Sequence, residues 1–281
     1  MNDFMHKNLH SDTLTNEIYE SLKNKLKIND KKPCLAIIIV GDKKDSMTYI
    51  KLKRKKCEAL GIETYLYSFS DKISVDHIIK SIEALNNYNF ISGILVQLPL
   101  PSTFSKQDEY NILNTVDPIK DVDGFHHINM GKLMLNKSTI IPCTAEGCFR
   151  LLKYHNIEIL GKHIVIVGSS KVVGLPLSLL LLHNGATITL CNIHTDNIKS
   201  ITQTADILIS CCGSPHLIDS SWIKKDVIVV DVGINHTEKG IIGDVNYNDV
   251  YTKVKYITPV PGCIGPLTIA ILIEHLVKNF N

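Results

Sequence analysis

Short apolar, β-branched runs alternate with longer segments of helical period along most of this chain, and that alternation restricts the fold more than any other feature of the sequence. Runs of this kind at residues 35–40, 62–69 and 91–96 fill the first half, and a second series follows at residues 163–167, 187–191, 207–211 and 227–231. Strands separated by helices pair in parallel through right-handed crossovers, which predicts an α/β chain. A turn-rich stretch, residues 117–131, leads through Pro142 into the second series. The 281 residues are enough for two domains with separate cores, and the segments expected are residues 1–140, 141–258 and a final 259–281. In the last of these, the Pro/Gly-rich stretch 258–266 precedes a helical pattern at 267–277 in which Ile269, Leu272, Ile273 and Leu276 share one face.

Composition excludes several classes of function. With 44% hydrophobic and 21% charged residues the chain resembles an ordinary globular protein and not a disordered one. A net charge of +2 supplies no field that would favour a nucleic acid or an anionic membrane, although a small anionic ligand fits. Residues 1–30 carry polar and charged side chains throughout, without the apolar core of an export signal, so a cytoplasmic location is expected. The apolar runs 34–40 and 177–182 are far shorter than the roughly 20 residues that span a bilayer. The eight cysteines are scattered, with no C-x-x-C pair, which predicts reduced and mostly buried thiols and no metal site.

Four places can carry chemistry. In the helix expected over residues 46–60, Lys53 has Tyr49 and Ile50 one turn before it, Cys57 one turn after and Leu60 two turns after, so it lies inside the apolar stripe. Lys51 and Lys55 fall on the solvated side. A lysine so placed either snorkels from a basic helix or is a partly desolvated amine suited to proton transfer, with Tyr49 beside it to stack on a flat ligand. The run from Val96 and Gln97 through Leu98 to Pro101 ends the third strand and opens a loop, where open α/β sheets present ligand-binding groups. Gln97 there either satisfies loop backbone or holds Lys53. Asp121-Val122-Asp123-Gly124 reads as a turn, in which a carboxylate also has the geometry to accept two parallel hydrogen bonds from an amide and amine edge. Finally, the strand ending at Val167 runs into Gly168, Ser169, Ser170 and Lys171, then Gly174 and Pro176 at a helix start. Backbone N–H groups and a helix amino terminus can cradle a pyrophosphate there, although the spacing is neither G-x-G-x-x-G nor a P-loop.

Taken in order, Tyr49-x-x-x-Lys53, residues 96–101 and 120–124, Pro142-Cys143-Thr144, residues 168–176 and 231–234, Gly243-Asp244-Val245 and residues 259–268 resemble the bifunctional methylenetetrahydrofolate dehydrogenase/cyclohydrolase family. The resemblance covers nearly the whole chain. It implies an amino-terminal α/β folate-binding domain (1–140), a Rossmann-like dinucleotide-binding domain (141–258), a catalytic cleft between them, and a carboxy-terminal helix (259–281) returning to the first domain. It implies oxidation of 5,10-methylenetetrahydrofolate with NADP, NAD being the alternative, and hydrolysis of the methenyl product to 10-formyltetrahydrofolate. That activity serves one-carbon metabolism and purine synthesis, commonly in a homodimer. Carried over by position, Lys53 is the proton-transfer group, Tyr49 stacks on the folate, Gln97 orients the lysine and Asp123 anchors the pterin. Val96, Leu98 and the Pro261-Gly262-Cys263-Ile264 turn border the folate, while Gly168, Ser169, Ser170, Ile193 and Ile234 contact the dinucleotide. Two positions depart from the family pattern: Ala145 and Cys263 replace a proline and a glycine. The Cys263 side chain is expected to point into or beside the folate turn.

Overall fold

The computed structural model of the chain describes residues 7–28, 31–138, 140–238 and 240–280, apart from the side chains of residues 44 and 45. Its elements begin with α1 (Asp12–Ile28), β1 (Cys34–Val40), α2 (Lys44–Ala59), β2 (Glu63–Phe69), α3 (Val75–Asn87), β3 (Gly93–Val96), α4 (Lys106–Thr115) and α5 (His127–Met134). Then come α6 (Cys143–Tyr154), β4 (His163–Val167), α7 (Gly174–His183), β5 (Thr187–Cys191), α8 (Ile198–Thr202), β6 (Ile207–Ser210) and β7 (Ile228–Asp231). A short hairpin of β8 (Asn235–Thr237) and β9 (Gly240–Ile242), α9 (Tyr247–Val250), β10 (Tyr256–Ile257) and α10 (Ile264–Phe280) complete the chain.

These elements form two compact units. The first comprises Glu17–Ile141 and Ile269–Asn281, the second Met1–Asn16 and Pro142–Thr268. The division drawn from sequence puts residues 1–140 together, whereas here the residues up to Asn16 go with the second unit. The reason is a pairing of residues 7–9 with β10: Leu9 N–H donates to Ile257 O at 2.8 Å, and Ile257 N–H donates to Lys7 O at 2.9 Å. No local pattern announces such a contact. The other division falls inside α10, after Thr268, and not at residue 259. Residues 1–6 and 281 of these segments lie outside the described residues.

The first unit is built on a parallel sheet in the order β2-β1-β3. Every residue of the central strand β1 is buried, as expected of a parallel strand covered on both faces, while the edge strand β2 is largely half-buried or exposed. Fully burying each of Leu35, Ile37 and Ile38 contributes about 1.5–3 kcal/mol. Helix α3 is capped by the Ser74 hydroxyl and buries Ile78, Ile82 and Leu85, which recur at helical spacing. Its carboxyl end is closed by the Lys120 ammonium, which donates to the carbonyls of Leu85 (3.3 Å), Asn86 (2.7 Å) and Tyr88 (2.9 Å). The one-faced burial expected for the last helix is exceeded: Ala270 and Ile271 are as buried as Ile269, Leu272, Ile273 and Leu276. A helix apolar nearly all round is buried nearly all round.

The second unit carries a parallel sheet in the order β10-β7-β6-β4-β5. One core packs Val165, Leu208, Val229 and Ile257 of the strands with Trp222, Val245 and Val254. Among the described residues no helix is long and apolar enough to cross a membrane.

Candidate functional site

In the first unit the strand order reverses between β1 and β3, and the carboxyl ends flanking such a reversal are where open α/β sheets bind ligands. Helix α2 follows β1 there. Of Lys51, Lys53, Arg54, Lys55 and Lys56, only Lys53 is buried, at 5% exposure. Its Nζ donates to Gln97 Oε1 at 3.0 Å. Gln97 cannot turn its amide over freely, because Nε2 donates to Leu98 O at 2.6 Å and the backbone N–H donates to Ile38 O at 2.9 Å. The glutamine therefore presents an acceptor, and not a donor, to the ammonium. Burial pushes the Tyr49 phenol above its ordinary value, so the ring stays neutral near physiological pH. Burial likewise pushes the Cys57 thiol up to about 12 against the opposing pull of Lys53, so no thiolate neutralises the amine. Val96 is buried, and Gln97 and Leu98 are half-buried.

The Asp121-to-Gly124 turn is tied to the same edge. Ile94 of β3 bridges Asp121 in parallel, and Ile94 N–H donates to Lys120 O at 2.7 Å. Both segments run in one direction from that bridge, so Val96 and Asp123 each stand two residues beyond it. Asp121 is buried and accepts from Gly124 N–H (3.0 Å), His126 N–H (2.9 Å) and Asn129 Nδ2 (2.9 Å), whereas Asp123 is half-buried. His275 of α10 adds a contact from its Nδ1 to Val122 O at 2.9 Å. Asp121 is thus the scaffold of the turn that carries Asp123. Its Asx pattern, D-x-x-G, was the available signal. Replacing it by asparagine turns an amide toward at least one of these donors, and we expect a loss of about 1–3 kcal/mol of stability. Thermal or urea unfolding of Asp121→Asn measures this; an unchanged midpoint contradicts it.

In the second unit the order reverses at β4, and the turn after β4 holds Gly168, Ser169 and Ser170. A Cβ on Gly174 would overlap the Gly168 carbonyl, so the start of α7 sits directly on the turn. Ser169, Ser170 and Lys171 are exposed, and no side chain caps α7. Backbone donors at a helix start with serine hydroxyls and a lysine beside them suit a pyrophosphate, so the residues fit a dinucleotide. After β5, Asn192 Oδ1 accepts from His194 N–H and Thr195 Oγ1 accepts from Asn192 N–H, each at 2.9 Å, which leaves Ile193 94% exposed. Ile234, after β7, is 39% exposed.

The Pro261-to-Ile264 turn differs from expectation. Pro261 and Gly262 are exposed, but Cys263 and Ile264 are buried. Cys263 Sγ donates to Leu9 O at 3.1 Å and its carbonyl accepts from Ser11 Oγ at 2.7 Å. The cysteine side chain is therefore drawn into the packing of the second unit by the amino-terminal segment and does not line the turn's open side. Gly262 has φ +109°, and an added Cβ would meet nothing within 4 Å, so the turn needs glycine's backbone freedom and not close packing within this unit. Ala145 is fully buried in α6. Among the described residues no group of three or more His, Cys, Asp or Glu is placed to hold a metal ion.

A buried lysine held on Gln97 at one strand-order reversal and a glycine-bounded turn at a helix start at another are arranged as in α/β chains of the dinucleotide-binding class. Residues 9–123 match the catalytic domain of tetrahydrofolate dehydrogenase/cyclohydrolase, and residues 142–281 match its NAD(P)-binding domain. The chain belongs to this family. Bifunctional protein FolD of Campylobacter jejuni is 45% identical over 271 residues, covering 95% of each chain. The crystal structure of a Campylobacter jejuni bifunctional enzyme FolD superposes with a TM-score of 0.91 at 44% identity, covering 96% of this chain and 97% of that one. The Trypanosoma brucei dehydrogenase-cyclohydrolase, solved with NADP cofactor and an inhibitor, gives 0.90 at 31% identity and 96% coverage of both.

Proposed function

We propose that this chain oxidises 5,10-methylenetetrahydrofolate to the 5,10-methenyl cation with NADP and then hydrolyses that cation to 10-formyltetrahydrofolate, within one-carbon metabolism. The observation that carries this reading is the buried Lys53 held on Gln97 at the edge that also bears the Asp123 turn. Bound oxidised nicotinamide supplies the hydride acceptor for the first step. For that step the chain's work is positioning: Tyr49 provides a flat, neutral face for the folate, Asp123 accepts from the pterin edge, and Val96 and Leu98 shape the strand end. In the second step water adds to the methenyl carbon, one C–N bond of the ring opens, and a proton is released. Lys53 moves protons as water adds and the nitrogen departs, and Gln97 keeps Nζ aimed while it does so.

Gly168, Ser169, Ser170, Ile193 and Ile234 are proposed to contact the dinucleotide, and Pro261 and Gly262 to border the folate. For cofactor choice, relatives that select the 2′-phosphate often carry an arginine where Ser169 stands or a serine or arginine where Ile193 stands. This chain has neither. It also lacks a carboxylate at Asn192, Ile193 or His194 to accept from the unphosphorylated ribose of NAD. Ser169, Ser170 and His194 remain as donors to a phosphate, all exposed, with Lys171 in the same turn. The expected outcome is a higher kcat/KM with NADP than with NAD in a spectrophotometric dehydrogenase assay; equal or greater efficiency with NAD overturns the preference. A homodimer in the cytoplasm is part of the same proposal.

A further inference from the structure

Two buried carboxylates in the second unit interlock two loops. Asp244, fully buried, accepts at Oδ2 from Ser210 Oγ (3.0 Å), Cys212 N–H (2.8 Å) and Gly213 N–H (3.2 Å). At Oδ1 it accepts from Ser214 N–H (2.8 Å) and Asn235 Nδ2 (2.9 Å). Its own N–H donates to Asp231 Oδ1 at 3.0 Å. Asp231 also accepts from Gly233 N–H (3.0 Å) and Val245 N–H (2.9 Å). The packing is reciprocal: a Cβ on Gly233 would overlap the Asp244 carboxylate, and one on Gly243 would overlap that of Asp231. Burial pushes the Asp231 carboxyl up to about 7 although the N–H donors of Val245, Asp244 and Gly233 pull it down, which marks how dry this junction is.

The loops so joined follow β6 and β7 at the carboxyl edge of the sheet. The β6 loop begins against the Gly168 turn, since Cys211 N–H donates to Val167 O at 2.8 Å and Cys211 Sγ to Gly168 O at 3.3 Å. In a doubly wound sheet the pyrophosphate lies over the first turn and the adenosine ribose beyond the second strand, here β4 and β5. That leaves β6 and β7, on the other side of β4, for the nicotinamide half. Resting on the reading of this unit as a dinucleotide site, we propose that Asp244 is a positioning residue for the nicotinamide–ribose half of the cofactor. It turns three consecutive N–H groups, those of residues 212–214, inward onto its carboxylate. The strand end is thereby prevented from becoming an anion nest, and its peptide carbonyls are the groups offered to hydroxyl and carboxamide donors of the ligand. Through Asn235 it also fixes the loop that carries Ile234.

Asp244→Asn keeps the size but faces an amide toward donors that now lack a partner, so the loop must rotate. The test is equilibrium binding of NADPH and of adenosine 2′,5′-bisphosphate, a fragment without the nicotinamide half, to the full-length protein. Asp244→Asn is expected to weaken NADPH about 10-fold while the fragment changes less than about two-fold. Ser210→Ala and Asn235→Ala, which each remove one donor and keep the carboxylate, are expected to shift NADPH alone by a smaller factor, and they carry the test if Asp244→Asn does not fold. Equal losses for both ligands, or no loss for either, in folded variants overturn the proposal. Failure of the wild-type protein to bind either ligand instead overturns the dinucleotide reading on which it rests.

Discussion

Lys53→Met is expected to reduce hydrolysis of the methenyl intermediate by about 100-fold to 10,000-fold, the usual cost of removing a general acid/base, while dinucleotide binding stays near normal. Methionine retains much of the volume of the lysine stem, so α2 should still pack beside Ile50 and Cys57, both essentially fully buried. What disappears is the Nζ on Gln97. Ring opening needs protons moved as water adds, whereas hydride transfer mainly needs folate and nicotinamide held in register, so the dehydrogenase step should suffer less. Lys55→Met is the control, because Lys55 is exposed on the same helix. The measurement follows decay of added methenyltetrahydrofolate on folded variants, with spontaneous hydrolysis subtracted. A wild-type rate for Lys53→Met, or equal damage from Lys55→Met, removes Lys53 from the chemistry.

Asp123→Asn is expected to weaken folate binding by about 1.5 to 3 kcal/mol, roughly 10-fold to 150-fold, with dinucleotide affinity unchanged. A carboxylate accepts two parallel bonds from the pterin's amide and amine edge; an amide offers one acceptor and sets its own donor against the second. Asp121, two residues earlier, gathers the N–H groups of Gly124 and His126, so the turn keeps that anchor in the variant. Calorimetric titration with a folate ligand decides this. Unchanged affinity in a folded variant takes Asp123 out of the site.

The strands were legible because their runs are β-branched and bounded by turns: residues 163–167 and 187–191 are strands over that whole span. The placement of Lys53 was legible from helical spacing alone, since Tyr49, Ile50, Cys57 and Leu60 flank it on one stripe. What could not be read were contacts joining distant segments. The pairing of Lys7 and Leu9 with Ile257 ties the segment before α1 to the second unit, and the same segment draws Cys263 inward. The interlocked Asp231 and Asp244 lay within sequence signatures of the family, yet their spacing says nothing of which backbone N–H groups each carboxylate gathers. Polar residues that build loops cannot be told by type from those that meet ligands until hydrogen-bond partners are known; the three donors gathered by Asp121 are the example.

Carbon tracing shows whether one chain performs both steps. Catalytic amounts of purified protein are given NADP and 5,10-methylenetetrahydrofolate labelled with ¹³C at the bridging carbon, and the label is followed by NMR. The label is expected to pass through the methenyl to the 10-formyl position, one NADPH appearing for each labelled carbon oxidised and the formyl product forming faster than spontaneous hydrolysis allows. Reduction of NADP with methenyl accumulating and decaying only at its spontaneous rate, or binding of both ligands without any oxidation, contradicts this.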